Sequence, residues 1–105
     1  MIAEIRTYTF KPGTRDKALA VFPATLAECR RIGMKVAGPW LSVENPNVLT
    51  WIRAFPDAAA RQKMTGEFYG GAAWSGQLAG VFMPILEKYD VVPVEMDETA
   101  VTWTV

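Results

Sequence analysis

One predicted β-strand of this sequence, from Val48 to Phe55, carries apolar side chains on both of its faces, and this limits the possible folds more than any other feature. Its two alternating apolar sets are Leu49, Trp51 and Phe55, and Val48, Ile52 and Ala54. Because successive side chains of a strand point to opposite sides, a sheet built on this strand needs cover on both sides. A chain of 105 residues has enough helix to cover only one of them. We therefore expect a second copy to cover the other side, in a symmetric homodimer.

The predicted elements follow the order β-α-β-β-α-β, which is the order of a ferredoxin-like fold. Two-residue periodicity and β-branched or aromatic composition predict the strands, and apolar residues at steps of three and four predict the helices. The predicted strands are residues 2–10, 34–44, 48–55 and 90–96, and the predicted helices are residues 15–32, 58–64 and 74–85. We expect one domain over residues 1–105, an α+β fold whose four-stranded antiparallel sheet has its helices on one face.

Local signals define the ends of the first two helices. Thr14 and Asp57 are expected to cap their N-termini. Pro23 lacks a backbone donor, so the first helix should kink or break there, and Gly66 should interrupt the second.

Proline and glycine also mark the strands. Gly38-Pro39 should bend the second strand, and Pro93 suits an edge strand. The tail, residues 99–105, alternates apolar residues with threonine, which predicts a short fifth strand.

The sequence has no histidine and one cysteine. A Ser-His-Asp triad, an imidazole base and histidine-ligated zinc or haem are therefore excluded within this chain. Cys29 cannot form an intramolecular disulfide, and we expect a half-buried structural thiol in a helix. The alternative is a reactive thiol whose pKa is lowered by the neighbouring Arg30 and Arg31.

The balance of charge excludes two classes of partner. Lys+Arg and Asp+Glu both number 11, so no basic surplus exists to bind nucleic acid or an anionic membrane surface. Residues 68–86 carry no charge, but their glycines and acidic flanks indicate a buried helix rather than a membrane span. No export signal is visible, and we expect a cytoplasmic protein.

Metal and nucleotide signatures are absent from the sequence. The acidic cluster Glu95, Asp97 and Glu98 lacks the spacing of a calcium loop and is interpreted as a solvated end. Gly70-Gly71 is not followed by the Lys-Ser/Thr of a phosphate loop. We expect no metal and no cofactor.

Candidate catalytic residues lie on two strands that the fold makes neighbours. Glu4, Arg6 and Tyr8 share one face of the first strand, and Trp51 and Arg53 share one face of the third. Two arginines among aromatic rings suit an anionic or enolate-like aromatic ligand. The alternative is that Glu4 forms a structural ion pair with Arg6 or Arg53, and that the aromatic residues only pack.

Further aromatic residues stand beside glycine or proline. Trp40 follows Gly38-Pro39, Tyr69 precedes Gly70-Gly71, and Trp74 begins the last helix. Residues of this kind often line the mouth of a cavity, so we predict that these three bind a ligand together with Trp51. The alternative for Trp74 is core packing, because it lies on the apolar stripe of its helix.

Several segments of this sequence, in the right order, resemble the NIPSNAP family. They are Glu4-Ile5-Arg6-Thr7-Tyr8-Thr9-Phe10-Lys11-Pro12-Gly13, Trp51-Ile52-Arg53-Ala54-Phe55, Ala60-Arg61 and Phe68-Tyr69-Gly70 with Trp74. The resemblance covers roughly residues 2–95. It implies the dimeric α+β barrel superfamily, in which two ferredoxin-like sheets pack face to face. That superfamily includes cofactor-independent monooxygenases, isomerases, lyases and haem peroxidases, and the missing histidine disfavours a haem role.

Two hypotheses for function follow. The first is a small-molecule enzyme or binding protein that works without metal or cofactor on a hydrophobic, aromatic or enolisable compound. Acid–base work would then fall to Tyr8 or Glu4, and Arg6 and Arg53 would stabilise negative charge. The second is a non-catalytic dimeric scaffold or interaction protein whose aromatic residues all belong to the core. A cavity of several hundred cubic ångströms between helices and sheet would favour the first.

Overall fold

Four strands form one antiparallel sheet in the computed structural model, which describes all residues from 1 to 105. The strands are β1 (Ile2–Phe10), β2 (Lys35–Leu41), β3 (Val48–Phe55) and β4 (Leu86–Glu95). Their order in the sheet is β2-β3-β1-β4. The predicted ferredoxin-like fold is confirmed, with β1 and β3 at the centre of the sheet.

Three α-helices pack on one face of this sheet. They are α1 (Arg15–Ile32), α2 (Ala58–Tyr69) and α3 (Ala79–Ile85), and a single π-helical turn, Trp74–Leu78, leads into α3. Between helices and sheet lies a core of 15 buried residues that includes Phe22, Trp51 and Phe82. None of the helices is both long and apolar enough to cross a membrane.

The helix ends and interruptions differ from the sequence predictions at three positions. Asp57 caps α2 as predicted, because its Oδ1 accepts a hydrogen bond from the Ala60 N–H at 2.8 Å. Thr14 occupies the predicted N-cap position of α1, but its side chain makes no capping bond, since its hydroxyl donates to the Lys11 carbonyl. Both helices continue through Pro23 and Gly66, so the predicted interruption at Gly66 is wrong, and of the two alternatives at Pro23, a kink or a break, the break is wrong.

Burial explains why these two helices continue. Pro23 removes one backbone hydrogen bond, but its neighbours Phe22 and Leu26 are buried in the core. Gly66 costs about 1 kcal/mol relative to alanine, and burial of Phe68 two residues later offsets it.

The second and fourth strands carry the predicted proline features. The pairing of β2 with β3 is irregular between Ala37 and Trp40, where Gly38 has a φ of +93°. The predicted bend in β2 is therefore confirmed. Strand β4 lies at the edge, as Pro93 indicated, and begins four residues earlier than predicted.

The C-terminal tail crosses the sheet face that the helices leave open. It does not form the predicted fifth strand: it begins with a short 3-10 helix, Glu98–Ala100, and its backbone pairs with β2 only where the Thr104 N–H donates to the Val36 carbonyl. The Trp103 indole donates to the Glu98 carbonyl, which folds the tail back on itself. Trp103 packs on a small cluster formed by Ala3, Ala37, Ile52 and Ala54. The tail thus covers one end of the open face.

Candidate functional site

Alternation along the two central strands directs the candidate residues toward the helices. Glu4 lies opposite Arg53 in the pairing of β1 with β3, and Arg6 lies opposite Trp51. Tyr8 belongs to the same face and to the buried core. The structure thus brings together all five strand residues that the sequence singled out.

Glu4 is held by three arginines. Its Oε1 accepts hydrogen bonds from Arg6 Nη1 at 2.8 Å and from Arg53 Nε at 2.7 Å. Its Oε2 accepts from Arg61 Nε at 2.9 Å. Glu4, Arg6 and Arg53 are exposed by 3%, 6% and 2%, whereas the Arg61 side chain is 36% exposed. The ion pair that the sequence offered as an alternative is therefore present, with one more arginine than expected.

These contacts determine the charge state of the carboxyl group. Burial alone would raise the pKa of Glu4, but the hydrogen bond and charge of Arg53, the hydrogen bond of Arg61 and the charge of Arg6 outweigh it and hold the pKa below its usual value. Glu4 is an anion at neutral pH. A carboxylate stabilised in this way is a weak base. Its main role is structural, because it holds the three guanidinium groups in place.

Two phenol groups receive hydrogen bonds from the same arginines. Arg6 Nε donates to the Tyr8 hydroxyl oxygen at 3.0 Å. The Tyr69 hydroxyl oxygen lies 3.4 Å from both Arg6 Nη2 and Arg53 Nη2. Burial raises the pKa of Tyr8, although the charge and the hydrogen bond of Arg6 act in the opposite direction. Tyr8 therefore keeps its proton at neutral pH and can donate it in a hydrogen bond.

A cavity of about 490 Å³ opens between the sheet and the helices at this cluster. Its lining residues are Glu4, Arg6, Tyr8, Thr25, Trp51, Arg53, Arg61, Thr65, Phe68, Tyr69, Trp74, Phe82, Met83, Leu86, Tyr89 and Val91. The wall combines one polar cluster with a broad aromatic and aliphatic surface. This combination is typical of sites for small organic molecules.

The aromatic residues predicted to bind a ligand divide into two groups. Trp51, Tyr69 and Trp74 line the cavity. Trp74 also packs against Tyr69 and Phe82, with ring centroids at 5.1 and 6.4 Å, so it lines the cavity and belongs to the packed core. Trp40 is not among the cavity residues, because the irregularity in β2 turns its ring against Gly38 and leaves it 48% exposed.

Sequence reasoning identified Tyr69 but missed the other three residues that α2 contributes to the cavity. Arg61, Thr65, Phe68 and Tyr69 follow one another at steps of four, three and one, and all four line the cavity. That spacing places them on one helical face, but only if the helix continues past Gly66. The signal was present in the sequence and was hidden by the predicted interruption.

The remaining candidate groups lie elsewhere. Cys29 is fully buried, and burial raises its pKa to about 11, so the alternative of an activated thiol is wrong. Asp97 accepts a hydrogen bond from the Thr99 N–H, and Glu98 forms an ion pair with Lys35. Two of the three acidic residues of the cluster thus interact with other groups at the surface. No group of three or more potential metal-ligating histidine, cysteine or carboxylate side chains occurs in the structure.

Comparison with known proteins gives one family and one fold. The family model for NIPSNAP matches residues 3–85. A NIPSNAP domain protein from Burkholderia xenovorans superposes with a TM-score of 0.80 at 18% identity, covering 97% of this chain and all of the other. A NIPSNAP family protein from Agrobacterium tumefaciens gives 0.80 at 20% identity, covering 95% and 91%. An antibiotic biosynthesis monooxygenase gives 0.70 at 14% identity, covering 92% and 99%. No curated protein matches the sequence.

Proposed function

This chain belongs to the NIPSNAP family, and on that premise we propose that it is a small-molecule enzyme or binding protein. Its ligand is a hydrophobic compound, aromatic or enolisable, that occupies the cavity above Glu4, Arg6 and Tyr8. The reaction types that suit the site are isomerisation, cyclisation, lyase chemistry and cofactor-independent oxygenation. All of them can pass through an enolate or a related anion.

The observation that carries this proposal is an open cavity of about 490 Å³, lined mostly by hydrophobic residues, with two buried arginines in its wall. A scaffold without a ligand would gain stability by filling this space, because protein interiors pack with few voids. Burying a charged arginine side chain also costs free energy, and this cost is offset only where the charge interacts with a partner or a ligand. The cavity therefore favours the ligand hypothesis over the non-catalytic scaffold.

The chemistry assigned to the residues follows from their hydrogen bonds. Tyr8 receives a bond from Arg6 and remains protonated, so its O–H is positioned to donate to a ligand oxygen. Arg6 and Arg53 stabilise the negative charge that develops when a carbonyl compound enolises. Glu4 orients both arginines rather than acting as the principal base, and the α-proton of the ligand passes to solvent water, which reaches the open cavity.

Replacing Tyr8 by phenylalanine tests this assignment. We expect wild-type protein to accelerate exchange of the α-protons of an enolisable aromatic ketone such as 2-tetralone into deuterium oxide, measured by proton NMR. Losing the donor from Tyr8 should slow this exchange by about 10²-fold or more, which is the usual contribution of a positioned acid. The Tyr89→Phe variant removes a phenol that also lines the cavity but is 61% exposed, and serves as the control.

Exchange that is equally slow with and without wild-type protein would remove the support for an enzyme. A thermal-shift screen with aromatic and β-dicarbonyl compounds then separates a binding protein from a scaffold, since a ligand of the native state raises its melting temperature. If no compound raises it, the scaffold hypothesis is favoured.

We also propose that the chain forms a homodimer through the open face of the sheet. On that face the tail covers only the cluster around Ala3 and Ile52, and Val92 on β4 is left 53% exposed. Val92 pairs with Ile5, so both lie on this face. Burial of these apolar side chains against a second copy would complete the core on the second side.

Light scattering coupled to size exclusion should give a mass about twice 11.6 kDa at micromolar concentration. Introducing a charge with Val92→Lys should shift the mass toward that of one chain, because the lysine would be desolvated in the interface. Met83→Lys, at a position 66% exposed on the helical side, is the matched control. A wild-type monomer, or a dimer that Val92→Lys leaves intact, would contradict this interface.

A further inference from the structure

We propose that the cavity contains an oxyanion subsite, formed by Arg53, Trp51 and Thr65, that selects a planar aromatic monocarboxylate. This inference rests on the proposed function, because it concerns the ligand of the same cavity. It adds the charge of the ligand and the position of its charged group. It also gives the reason why a neutral compound of the same shape binds more weakly.

The charge of the cavity wall is the first argument. Arg6, Arg53 and Arg61 contribute three positive charges, and Glu4 contributes the only carboxylate among the 16 lining residues. Glu4 is already bonded to all three arginines. Two positive charges therefore remain uncompensated in a partly desolvated space, and such a site attracts an anion.

Hydrogen-bond donors without partners give the second argument. Arg53 Nη1, Trp51 Nε1 and Thr65 Oγ1 are buried and bond to no other protein atom, although each belongs to a side chain that lines the cavity. Arg53 and Trp51 are exposed by only 2% and 1%. Buried polar groups are nearly always paired, and three unpaired ones in residues of one cavity wall favour an acceptor supplied by a ligand. Because the three atoms have almost no accessible surface, such a ligand has to displace the side chains that cover them.

The surroundings of Arg53 limit the size of that acceptor. Its Nε is bonded to Glu4 and its Nη2 to Tyr69, so Nη1 is the end left for a ligand. Rings of Trp51, Phe68 and Tyr69 lie around the guanidinium, with centroids at 5.4 to 5.8 Å from its central carbon. One free guanidinium nitrogen, an indole N–H and one hydroxyl match a carboxylate better than a phosphate, which would take more donors.

The rest of the cavity determines the body of the ligand. Opposite the polar cluster, the wall is formed by apolar side chains that include Trp74, Phe82 and Leu86. A flat ring system attached to the carboxylate would pack against these side chains while its charged end lies at Arg53.

A pair of probes of the same shape and different charge tests the subsite. We expect 1-naphthoate to bind wild-type protein at least about tenfold more tightly than 1-naphthamide in calorimetric titrations at neutral pH. The Arg61→Gln variant removes one excess positive charge at a half-exposed position, so it should fold. It should weaken naphthoate binding by about three- to tenfold and leave naphthamide unchanged.

Two further variants sharpen this test. Lys63→Gln removes the same charge from an exposed position of the same helix and should affect neither probe. Trp51→Phe removes the free N–H but keeps an aromatic ring, and should weaken naphthoate selectively. Circular dichroism spectra establish that each variant is folded.

The possible outcomes separate this inference from the proposed function. Equal affinity for the two probes, or an equal loss in Arg61→Gln and Lys63→Gln, overturns the oxyanion subsite but leaves a small-molecule cavity. Binding of other aromatic or β-dicarbonyl compounds, with no binding of naphthoate, overturns the carboxylate assignment alone. Failure of every compound to bind overturns the subsite and the ligand function together.

Discussion

Replacing Glu4 by glutamine is expected to lower the free energy of unfolding by about 3 kcal/mol or more. The change leaves Arg6 and Arg53 buried without the anion that both of them bond, and removing one partner of a buried ion pair costs about 3–5 kcal/mol. Domains of this size have about 5–15 kcal/mol in total, so the loss is a large part of it. Urea unfolding at pH 7, followed by tryptophan fluorescence, measures the difference.

Glu28→Gln is the matched control for this substitution. Glu28 also pairs with an arginine, but its partner Arg31 is 69% exposed, and the pair lies on the surface of α1, away from the proposed dimer interface. A pair of this kind on a helix surface contributes at most about 1 kcal/mol, and we expect a loss below that. Similar losses for Glu4→Gln and Glu28→Gln would contradict the central role of Glu4.

The same substitution should change how stability depends on pH. The folded-state pKa of Glu4 lies below its ordinary value near 4.5, so its ionisation stabilises the fold above that pH. This contribution is lost as the pH falls from about 4.5 through the lowered folded-state pKa. Wild-type protein should therefore lose stability over this acidic range more steeply than Glu4→Gln.

Replacing Phe82 by alanine is expected to cost about 3–5 kcal/mol, the usual effect of truncating a buried phenylalanine. The Phe82 ring is 4% exposed and lies at the centre of an aromatic cluster. Its centroid is 5.7 Å from that of Phe22, 6.2 Å from that of Tyr8 and 6.4 Å from that of Trp74. Since 1 kcal/mol shifts the melting temperature of such a domain by about 4–8 °C, calorimetry should show a decrease of more than about 10 °C.

The neighbouring residue provides the control. Met83 is 66% exposed, and Met83→Ala should change the stability by no more than about 0.5 kcal/mol. A loss below about 1 kcal/mol in Phe82→Ala would mean that α3 moves inward and closes the space. In that case the cavity wall on this side would be adaptable rather than fixed.

Strand periodicity explains why much of the site was predictable. A period of two assigns Glu4, Arg6 and Tyr8 to one face whatever the details of the fold. The order of the elements then makes β1 and β3 neighbours, which brings Arg53 to Glu4. These inferences needed no knowledge of side-chain contacts.

Helix breaks predicted from a single glycine or proline were wrong, although the strand features predicted from Gly38-Pro39 and Pro93 were confirmed. Gly66 and Pro23 disfavour a helix locally, but burial of nearby aromatic residues outweighs this preference, so the helices continue. Trp40 was assigned to the cavity from its place beside Gly38-Pro39. These residues predict the bend in β2, but not the direction in which the irregular pairing turns the Trp40 ring. The third arginine bound to Glu4, Arg61, lies in the predicted part of α2, but its contact depends on how the helix packs on the sheet, which periodicity does not determine.

The contact between the tail and β2 has a consequence for the edges of the sheet. An edge strand with free backbone groups is a template on which another chain can add a strand, and repeated addition leads to fibrils. At one edge, Thr104 already occupies the Val36 carbonyl. At the other edge, Pro93 has no N–H to offer. Strand addition is thus hindered at both edges of the sheet, which leaves the open face, where the proposed dimer interface lies, as the surface for association.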